Sequence, residues 1–401
     1  MITSKDIQRA ADRIREDILR TPLVYSPTFS TLFGGRVYLK LENLQKTGSF
    51  KIRGATNKIR TIRSRIGPRG VVAASAGNHA QGVALAASEA GVSATIVMPE
   101  GASISKQEAT RSYGGEVVIH GKSVGESIEE ARRLSAEGRV FIHPYDDPLI
   151  IAGQGTLGLE IADDLPEVDQ VLVPVGGGGL ISGVALALTS RCPNARIIGV
   201  QASACPSAAT ALSTGKRRVV GTLGSIADGI TVKQTGKAPF TIMRDRVETV
   251  VLVEEELIAA AILMLLEKKK ILAEGAGAVP LAALMAGQVA LAPGSSTVLV
   301  ISGGNLDSPL LGKIISKGLS KSGRIIRIGV QLSDVPGALA DLLGLIADAD
   351  ANVLHIYHDR RKPGLPINAS AVELELETRG REHTESVITH LEMAGYPLTC
   401  C

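Results

Sequence analysis

Three strongly apolar runs in this chain each end in a loop of small residues, and this repeated pattern limits the fold more than any other feature. The runs with their loops are residues 71–74 with 75–82, 171–175 with 176–180, and 298–301 with 302–305. Short, continuous apolar runs are typical of strands that are buried on both faces of a parallel sheet. Loops at the carboxyl ends of such strands gather a ligand site. The sequence therefore predicts an α/β fold with a ligand site at one edge of the sheet.

Predicted helices alternate with these strands along most of the chain. Helices are expected over residues 4–19, 79–90, 103–113 and 123–137, and further strands over 94–98, 116–119 and 196–201. This alternation indicates parallel strands joined by right-handed crossovers. Residues from about 54 to 145 are expected to form a small subdomain inserted in a larger one, within a domain that covers residues 1–317.

The pattern changes after this domain. Residues 308–323 are rich in Gly, Ser and Lys, which predicts a linker. Beyond it, the predicted order over residues 324–401 is strand, helix, strand, strand, helix and short strand. This order predicts a second domain, within residues 318–401, of the α+β ferredoxin-like type.

Composition excludes several classes of protein. The net charge is +3 and no basic run with interleaved aromatic residues is present, which argues against nucleic-acid binding. The longest apolar run, residues 257–266, is about half of a membrane span. Cys192, Cys205, Cys400 and Cys401 have neither metal-ligand nor disulfide-framework spacing, which suits a reducing compartment. We therefore expect a cytoplasmic protein that binds neither nucleic acid nor membrane.

Lys51 occupies an unusual place for a lysine. A predicted strand over residues 37–42 precedes it, and Ala55, Ile59 and Ile62 follow at helical spacing, with Ser49 as the expected N-cap. The positive end of a helix dipole disfavours an ammonium in the first turn and favours the neutral amine, which can attack a carbonyl. An ordinary surface lysine near a helix start is the alternative.

The glycine run at residues 176–179 predicts a phosphate site. Successive backbone N–H groups in such a run can converge on an anion, and the helix that follows adds its positive end. The spacing is neither that of a Walker loop nor that of a dinucleotide fingerprint, and a simple tight turn is the alternative. Together with a lysine of suppressed charge, the run suggests an aldehyde cofactor that carries a phosphate.

The motifs at Lys51 and at residues 75–82, 176–180 and 302–305, in this order, resemble those of the fold type II pyridoxal-phosphate enzymes, which are tryptophan-synthase-β-like. Among these, the chain most closely resembles the threonine/serine dehydratases. The resemblance extends from about residue 7 to residue 317. It implies a two-subdomain α/β catalytic domain that binds pyridoxal 5'-phosphate.

The resemblance also implies how the cofactor is held. Lys51 is expected to bond its aldehyde, to be freed by the substrate amine and then to take the Cα proton as the catalytic base. The other expected cofactor contacts are Phe50 against the ring, Asn78 at the phenolic oxygen, Gly176, Gly177, Gly178, Gly179 and Leu180 around the phosphate, and Ser302 at the pyridine nitrogen. For Phe50, a core aromatic at a helix start is an equal alternative.

The loop after the first apolar run is expected to hold the substrate carboxylate. The resemblance assigns this role to the backbone of Ser75, Ala76, Gly77, Asn78 and His79, at a helix N-terminus. His79 is expected to be structural and not a base. A hydroxyl at Ser302 cannot strongly favour a protonated pyridinium, so prompt elimination is expected over transamination.

Two departures from the serine racemases of this family narrow the function. Ala76 stands where those enzymes carry a second serine that acts as a base, so racemisation by that route is not expected. Gln201 and Ser207 stand where they carry acidic metal ligands. We therefore expect no divalent metal site, and a monovalent cation stays open.

The resemblance implies β-elimination: L-threonine gives 2-oxobutanoate and ammonia, and L-serine gives pyruvate and ammonia. A dehydratase of another β-hydroxy amino acid, such as 3-hydroxyaspartate, is the alternative within the family. A low-turnover amino-acid sensor is the alternative of another class, although intact motifs at Lys51, Asn78 and Ser302 argue against it.

The C-terminal domain resembles the ACT regulatory domains. The resemblance rests on a short turn formed by Asp334, Val335, Pro336, Gly337, Ala338 and Leu339, where an amino-acid effector is expected. A role in assembly alone is the alternative. The family resemblance further implies a homodimer or homotetramer.

Overall fold

The computed structural model describes residues 2–400, so Met1 and Cys401 lie outside the described part, as does the side chain of Cys400. The chain divides into two compact units, of which the first ends at Asp307 and the second begins at Ser308. This boundary lies earlier than the expected one after residue 317. Within residues 2–400, each helix is too short or too polar to span a bilayer.

The first unit contains two sheets with helices around them. Its strands are β1 (Leu23–Tyr25), β2 (Arg36–Leu41), β3 (Val71–Ala74), β4 (Ala94–Met98), β5 (Gly115–Ile119), β6 (Val140–Phe141), β7 (Gln170–Pro174), β8 (Arg196–Ala202), β9 (Thr249–Val253) and β10 (Ser296–Ile301). Its helices are α1 (Ser4–Ile14), α2 (Pro27–Phe33), α3 (Lys51–Ile62), α4 (Asn78–Glu89), α5 (Ile104–Ser112), α6 (Val124–Ala136), α7 (Pro148–Asp164), α8 (Gly179–Arg191), α9 (Ser207–Thr214), α10 (Lys237–Arg246), α11 (Glu255–Met264) and α12 (Gly275–Met285). Short 3₁₀ turns cover Glu42–Leu44, Arg63–Arg65 and Asp228–Ile230, and a π turn covers Leu265–Lys269.

The larger sheet has the strand order β1-β2-β10-β7-β8-β9, in which β1 is antiparallel to β2 and the other pairs are parallel. The smaller sheet has the order β5-β4-β3-β6 and is parallel throughout. Every residue of β3, β7 and β10 is buried, as expected for strands covered by helices on both faces. The predicted α/β architecture is confirmed, and β7 and β10, which carry two of the three predicted loops, are neighbours.

Two helix ends differ from the sequence prediction. Helix α1 ends at Ile14 and not at residue 19, because a turn closes there with the Asp17 N–H donating to the Ile14 carbonyl. The N-cap of α3 is Phe50 and not Ser49. Ser49 forms an isolated antiparallel bridge with Gly303, so its backbone is held by the loop after β10 and does not start the helix.

The second unit begins with helix α13 (Ser308–Lys321), where the sequence predicted a linker. Its further elements are β11 (Ile325–Ser333), α14 (Ala338–Asp348), β12 (Asn352–Asp359), β13 (Ala369–Glu377), α15 (Arg381–Met393) and β14 (Leu398–Cys400). The sheet has the order β12-β13-β11-β14 with antiparallel pairs only, which is the ferredoxin-like arrangement. Its own core includes Val330, Leu342, Leu374 and Val387.

Candidate active site

Lys51 is the first residue of α3, and its side chain is half-buried. Its Nζ donates to the carbonyl of Pro144 at 3.3 Å and lies 5.1 Å from the centre of the Phe50 ring. Burial lowers the pKa of Lys51 from its ordinary value to about 8, although the charge of Glu274 opposes the shift. A lysine with this pKa is a much better nucleophile and base near neutral pH than an exposed one.

The backbone joins the lysine to the loop after β10. The Phe50 N–H donates to the Ser302 carbonyl at 3.1 Å, and Ser49 pairs with Gly303. Ser302 itself is buried. The structure therefore brings Ser302 to Phe50 and Lys51, which lie about 250 positions earlier in the chain and which the sequence placed in the same site.

Asn78, at the start of α4, connects this region to the smaller sheet. Its Nδ2 donates to Oε1 of Glu274 at 2.7 Å, and its Oδ1 accepts from Nδ2 of Asn305 at 2.7 Å. Asn305 also donates to the Thr47 carbonyl at 2.8 Å and to Oε1 of Gln81 at 3.2 Å. These bonds fix which side of the Asn78 amide donates and which accepts.

Sequence analysis missed Glu274 as a site residue. It precedes α12 directly, its N–H donates to the Gly303 carbonyl at 3.0 Å, and its side chain is 5% exposed. Burial, aided by the charge of Asp228, raises the pKa of Glu274 to about 7, against the opposing effects of Asn78, Lys106 and Lys51. A carboxyl that titrates near neutral pH beside a lysine of lowered pKa is a mark of a functional site. The only sequence signal was an acidic residue ahead of an apolar helix.

The glycine loop lies at the carboxyl end of β7. Gly178 has φ +92° and caps α8, and a Cβ on Gly177 would collide with the ring of Tyr145. A Cβ on Gly176 would lie 3.0 Å from Cα of Ile230. The N–H groups of Gly179, Leu180 and Ile181 have no acceptor within α8, because the first bond of this helix runs from the Ser182 N–H to the Gly178 carbonyl. The loop thus presents free amides and a positive helix end, as an anion site requires.

The loop of residues 75–79 lies between β3 and α4. The Gly77 N–H donates to Oγ of Ser75 at 3.2 Å, which shapes the turn before α4. His79 is buried, and its Nε2 lies 2.9 Å from the Ile142 carbonyl. Burial, with a further contribution from the charge of Lys51, lowers the pKa of His79 to about 3. A neutral imidazole that donates to a carbonyl is structural, which supports leaving His79 out of the catalytic groups.

The two positions that differ from the racemases hydrogen-bond within the protein. Oε1 of Gln201 accepts from the Ala208 N–H at 2.9 Å, and its Nε2 lies 3.3 Å from Oγ of Ser207. Oγ of Ser207 in turn donates to the Val232 carbonyl at 2.6 Å. Within residues 2–400, His, Cys, Asp and Glu form no group of three or more that is arranged to hold a metal ion.

The turn predicted to bind an effector belongs to the second unit. Gly337 has φ +96° and caps α14, and Asp334 pairs with Nε of Arg360 at 2.9 Å. Residues 334–337, which include Pro336, are exposed, whereas Ala338 and Leu339 are half-buried. The turn therefore places a helix start on an accessible surface, although the Asp334, Val335 and Ala338 N–H groups already donate to carbonyls.

The residues of the first unit fit a cofactor with an aldehyde and a phosphate. Lys51 supplies an amine of lowered pKa, and the glycine loop supplies amides. Within the described residues, Oγ1 of Thr47 and Oγ of Ser49 are buried without a hydrogen-bond partner, close to Lys51 in the chain. Buried hydroxyls without a partner are rare, and they indicate a group that the protein alone does not provide.

Comparison with known proteins gives the class to which this site belongs. Residues 14–303 match the family model of pyridoxal-phosphate-dependent enzymes. The chain belongs to this family, as its motifs predicted, and its cofactor is pyridoxal 5'-phosphate.

Individual relatives show which members of this family the chain is similar to. The chain is 50% identical to the L-threonine ammonia-lyase of Geobacter sulfurreducens over 391 residues, which are 97% of each chain. It is similar to the crystal structure of a T.th. threonine deaminase, with a TM-score of 0.72 and 40% identity over 76% of this chain and 99% of that one. It is also similar to maize serine racemase, with a TM-score of 0.73 and 35% identity over 80% of this chain and 98% of that one.

Proposed function

We propose that this chain is a pyridoxal-phosphate-dependent L-threonine ammonia-lyase. It converts L-threonine to 2-oxobutanoate and ammonia, and it also converts L-serine to pyruvate and ammonia. The observation that carries the proposal is Lys51, with its pKa of about 8, directly after Phe50, whose N–H donates to the carbonyl of Ser302 in the loop after β10. Identity to an L-threonine ammonia-lyase over nearly the whole chain supports the choice of substrate.

The cofactor, when bound, supplies the aldehyde that bonds the substrate amine and the ring that withdraws electrons from Cα. The protein supplies the base. Nζ of Lys51 takes the Cα proton and, once protonated, can return a proton to the departing β-hydroxyl, which leaves as water. His79, with its pKa of about 3 and its ring held by the Ile142 carbonyl, does not compete for this proton.

Three further groups orient the reactants in this proposal. Within the loop of residues 75–79, the amides of Ala76, Asn78 and His79 bind the substrate carboxylate, since the Ser75 N–H donates to the Val97 carbonyl and the Gly77 N–H to Oγ of Ser75. Asn78, oriented by Glu274 and Asn305, holds the phenolic oxygen of the cofactor. Ser302 offers a hydroxyl and not a carboxylate to the pyridine nitrogen, which favours elimination over transamination.

The second unit is proposed to be an ACT-like regulatory domain. Its ferredoxin-like sheet and the exposed turn at Gly337 support an amino-acid effector whose carboxylate accepts from the amides of Gly337 and Leu339. We further propose a homodimer or homotetramer that works in the cytoplasm.

Product analysis tests the proposed activity. Holoenzyme incubated with L-threonine should release 2-oxobutanoate and ammonia in equal amounts, and L-serine should give pyruvate. The alternative dehydratase is tested by measuring the turnover of 3-hydroxyaspartate beside that of threonine. Faster turnover of 3-hydroxyaspartate than of threonine would overturn the assignment.

A further inference from the structure

Four buried charged side chains lie next to the lysine helix and have no part in the chemistry described above. Lys40, Glu42 and Arg53 are 0% exposed and Glu160 is 8% exposed. Two are cationic and two are anionic, so the cluster is balanced in charge. They come from β2, from the 3₁₀ turn that follows it, from the first turn of α3 and from α7.

Arg53 is the centre of this cluster. Its Nε and Nη2 donate to the two carboxylate oxygens of Glu42 at 2.7 and 2.8 Å. Its Nη1 and Nη2 donate to the two oxygens of Glu160 at 2.7 and 3.0 Å, and Nη1 also donates to Oγ1 of Thr156 at 3.1 Å. Lys40 completes the cluster by donating to Glu160 at 2.6 Å. Two paired carboxylates around one planar guanidinium fix its direction as a single contact cannot.

Stability alone does not explain such a cluster. Taking charges out of water costs free energy that their mutual attraction often only offsets, and apolar side chains of similar volume commonly serve as well. What the charges add is direction, because each hydrogen bond tolerates only a narrow range of distance and angle.

Apart from Arg53, the side-chain hydrogen bonds that orient α3 lie beyond its first turn, where Asn57 donates to the Leu149 carbonyl at 2.7 Å and Lys58 pairs with Asp147 at 2.7 Å. Its N-cap, Phe50, makes no side-chain cap hydrogen bond. Its contact with α7 runs through glycines: a Cβ on Gly153 would lie 2.6 Å from Cα of Gly54. Glycines permit a close approach but have no side chain to resist rotation or sliding, and in this first turn the bond from the Gly54 N–H to Oε1 of Gln154, at 3.2 Å, is weaker in direction than the bonds of Arg53. The fork of Arg53 is therefore the strongest directional link at this end of α3.

Rotation of α3 matters because of where Lys51 lies on it. Arg53 follows Lys51 by two positions, so the two side chains leave the helix about 200° apart. A lysine amine lies roughly 8 Å from the helix axis, so a rotation of about 10° moves it by more than 1 Å. A misplacement of about 1 Å in a reacting group can lower a rate about 10²-fold.

We propose that Arg53, held by Glu42 and Glu160, is a positioning residue that orients the amine of Lys51. The proposal rests on the proposed role of Lys51 as the cofactor-binding lysine and base. It predicts that the direction of the guanidinium bonds, and not only the charge of Arg53, is needed for reaction at Nζ.

The test compares Arg53→Lys with Arg60→Lys. The first variant keeps the buried charge but loses the fork. The second is a matched control on the same helix, because Arg60 makes a similar forked pair with Asp17, at 2.6 and 3.1 Å, in a more exposed place. A second test variant, Lys40→Met with Glu160→Gln, removes one charge of each sign and keeps the cluster balanced should Arg53→Lys fold poorly.

Two readouts distinguish a misplaced Lys51 amine from a loss of folded protein. The first is the rate at which pyridoxal phosphate, added to cofactor-free protein, becomes covalently attached to Lys51. Visible absorbance and borohydride trapping follow this attachment. The second is the kinetic isotope effect with threonine deuterated at Cα, which does not depend on the fraction of active enzyme. For Arg53→Lys we expect covalent attachment of the cofactor at Lys51 to be at least about 10-fold slower than in the wild type. We also expect kcat to fall by about 10- to 100-fold while KM changes by less than about 3-fold, and the isotope effect to be larger. Arg60→Lys should match the wild type.

An unchanged rate of cofactor attachment and an unchanged isotope effect in the folded test variants would overturn the proposal. So would a decrease in kcat that is fully explained by a lower cofactor content. Wild type that bonds the cofactor but releases no keto acid from threonine would instead refute the proposed function. The bonding rates would still decide the role of Arg53.

Discussion

Asn78 and Glu274, which are 196 positions apart in the chain, share a 2.7 Å hydrogen bond from Nδ2 to Oε1. The bond joins the start of α4, which follows β3 of the smaller sheet, to the start of α12, which precedes β10 of the larger sheet. Glu274 also acts on Lys51 through its charge, and it raises the lysine pKa against the larger effect of burial. The carboxylate is therefore linked both to the predicted cofactor contact and to the predicted base.

Glu274→Gln should lower the pKa of Lys51. The negative charge of Glu274 favours the ammonium form, so its removal leaves burial to favour the neutral amine. Because only the neutral amine bonds an aldehyde, the rate at which stripped protein takes up pyridoxal phosphate should rise with pH around a midpoint near 8 in the wild type. In the variant that midpoint should lie lower. A midpoint that stays or rises would contradict the assigned coupling.

The same substitution should make stability less dependent on pH. The folded pKa of Glu274, about 7, lies above the ordinary value of 4.5, so its protonated form stabilises the fold at low pH. That contribution is fully present below about pH 4.5 and is lost as the pH rises through 7. Stripped Glu274→Gln should therefore be more stable than the wild type at pH 8, by at most about 3 kcal/mol, and equal near pH 4.5.

Thermal unfolding across this pH range measures the difference. The control is Glu256→Gln, which removes an exposed carboxylate from the first turn of α11. A stability gap for Glu274→Gln that is the same at both pH values, or that matches the control, would speak against the raised pKa.

Ala76→Ser should introduce serine racemisation without abolishing elimination. Ala76 lies in the loop between β3 and α4 and has no exchangeable proton. By its resemblance to the racemase position, a serine there is expected to supply a hydroxyl on the face opposite Lys51. Chiral chromatography of serine recovered after partial turnover measures the D-enantiomer. Wild type that already racemises serine as fast as it eliminates water would show that Ala76 does not prevent racemisation.

Isoleucine or valine should shift the threonine saturation curve of the intact enzyme. The effector must bind two states of the enzyme unequally, typically by about 1–3 kcal/mol, for the shift to appear. Calorimetric titration detects the binding, and kinetics of a truncation that ends at Asp307, the last residue of the first unit, test its source. The truncated enzyme should stay active and lose the response. Absence of both binding heat and kinetic response would reduce the second unit to a role in assembly.

The sequence predicted the parts of the site that local patterns encode. Buried strands such as β7 and β10 and the glycine loop at Gly178 are visible as apolar runs and small residues, because backbone burial and tight turns restrict residue type. Glu274 and Asn305 were not singled out, because their partners lie far along the chain and only the fold brings them together.

Two local predictions failed for a related reason. Ser49 was expected to cap α3, but its pairing with Gly303 holds it outside the helix. The segment expected to be a linker is helix α13, because Leu310, Ile314 and other apolar residues recur at helical spacing among its Gly, Ser and Lys residues. In both cases, the contacts or the periodicity outweighed the residue preferences.

The central claim is that Nζ of Lys51 holds the cofactor and takes the Cα proton of threonine. Its most direct test is the formation of 2-oxobutanoate from L-threonine by wild type and by Lys51→Ala, each supplied with pyridoxal phosphate and checked by borohydride trapping and peptide mapping. We expect the cofactor on Lys51 and steady keto acid release in the wild type, with no covalent link and a rate lower by at least about 10²-fold in the variant. A trappable cofactor on another lysine, or undiminished 2-oxobutanoate formation by Lys51→Ala, would contradict the account.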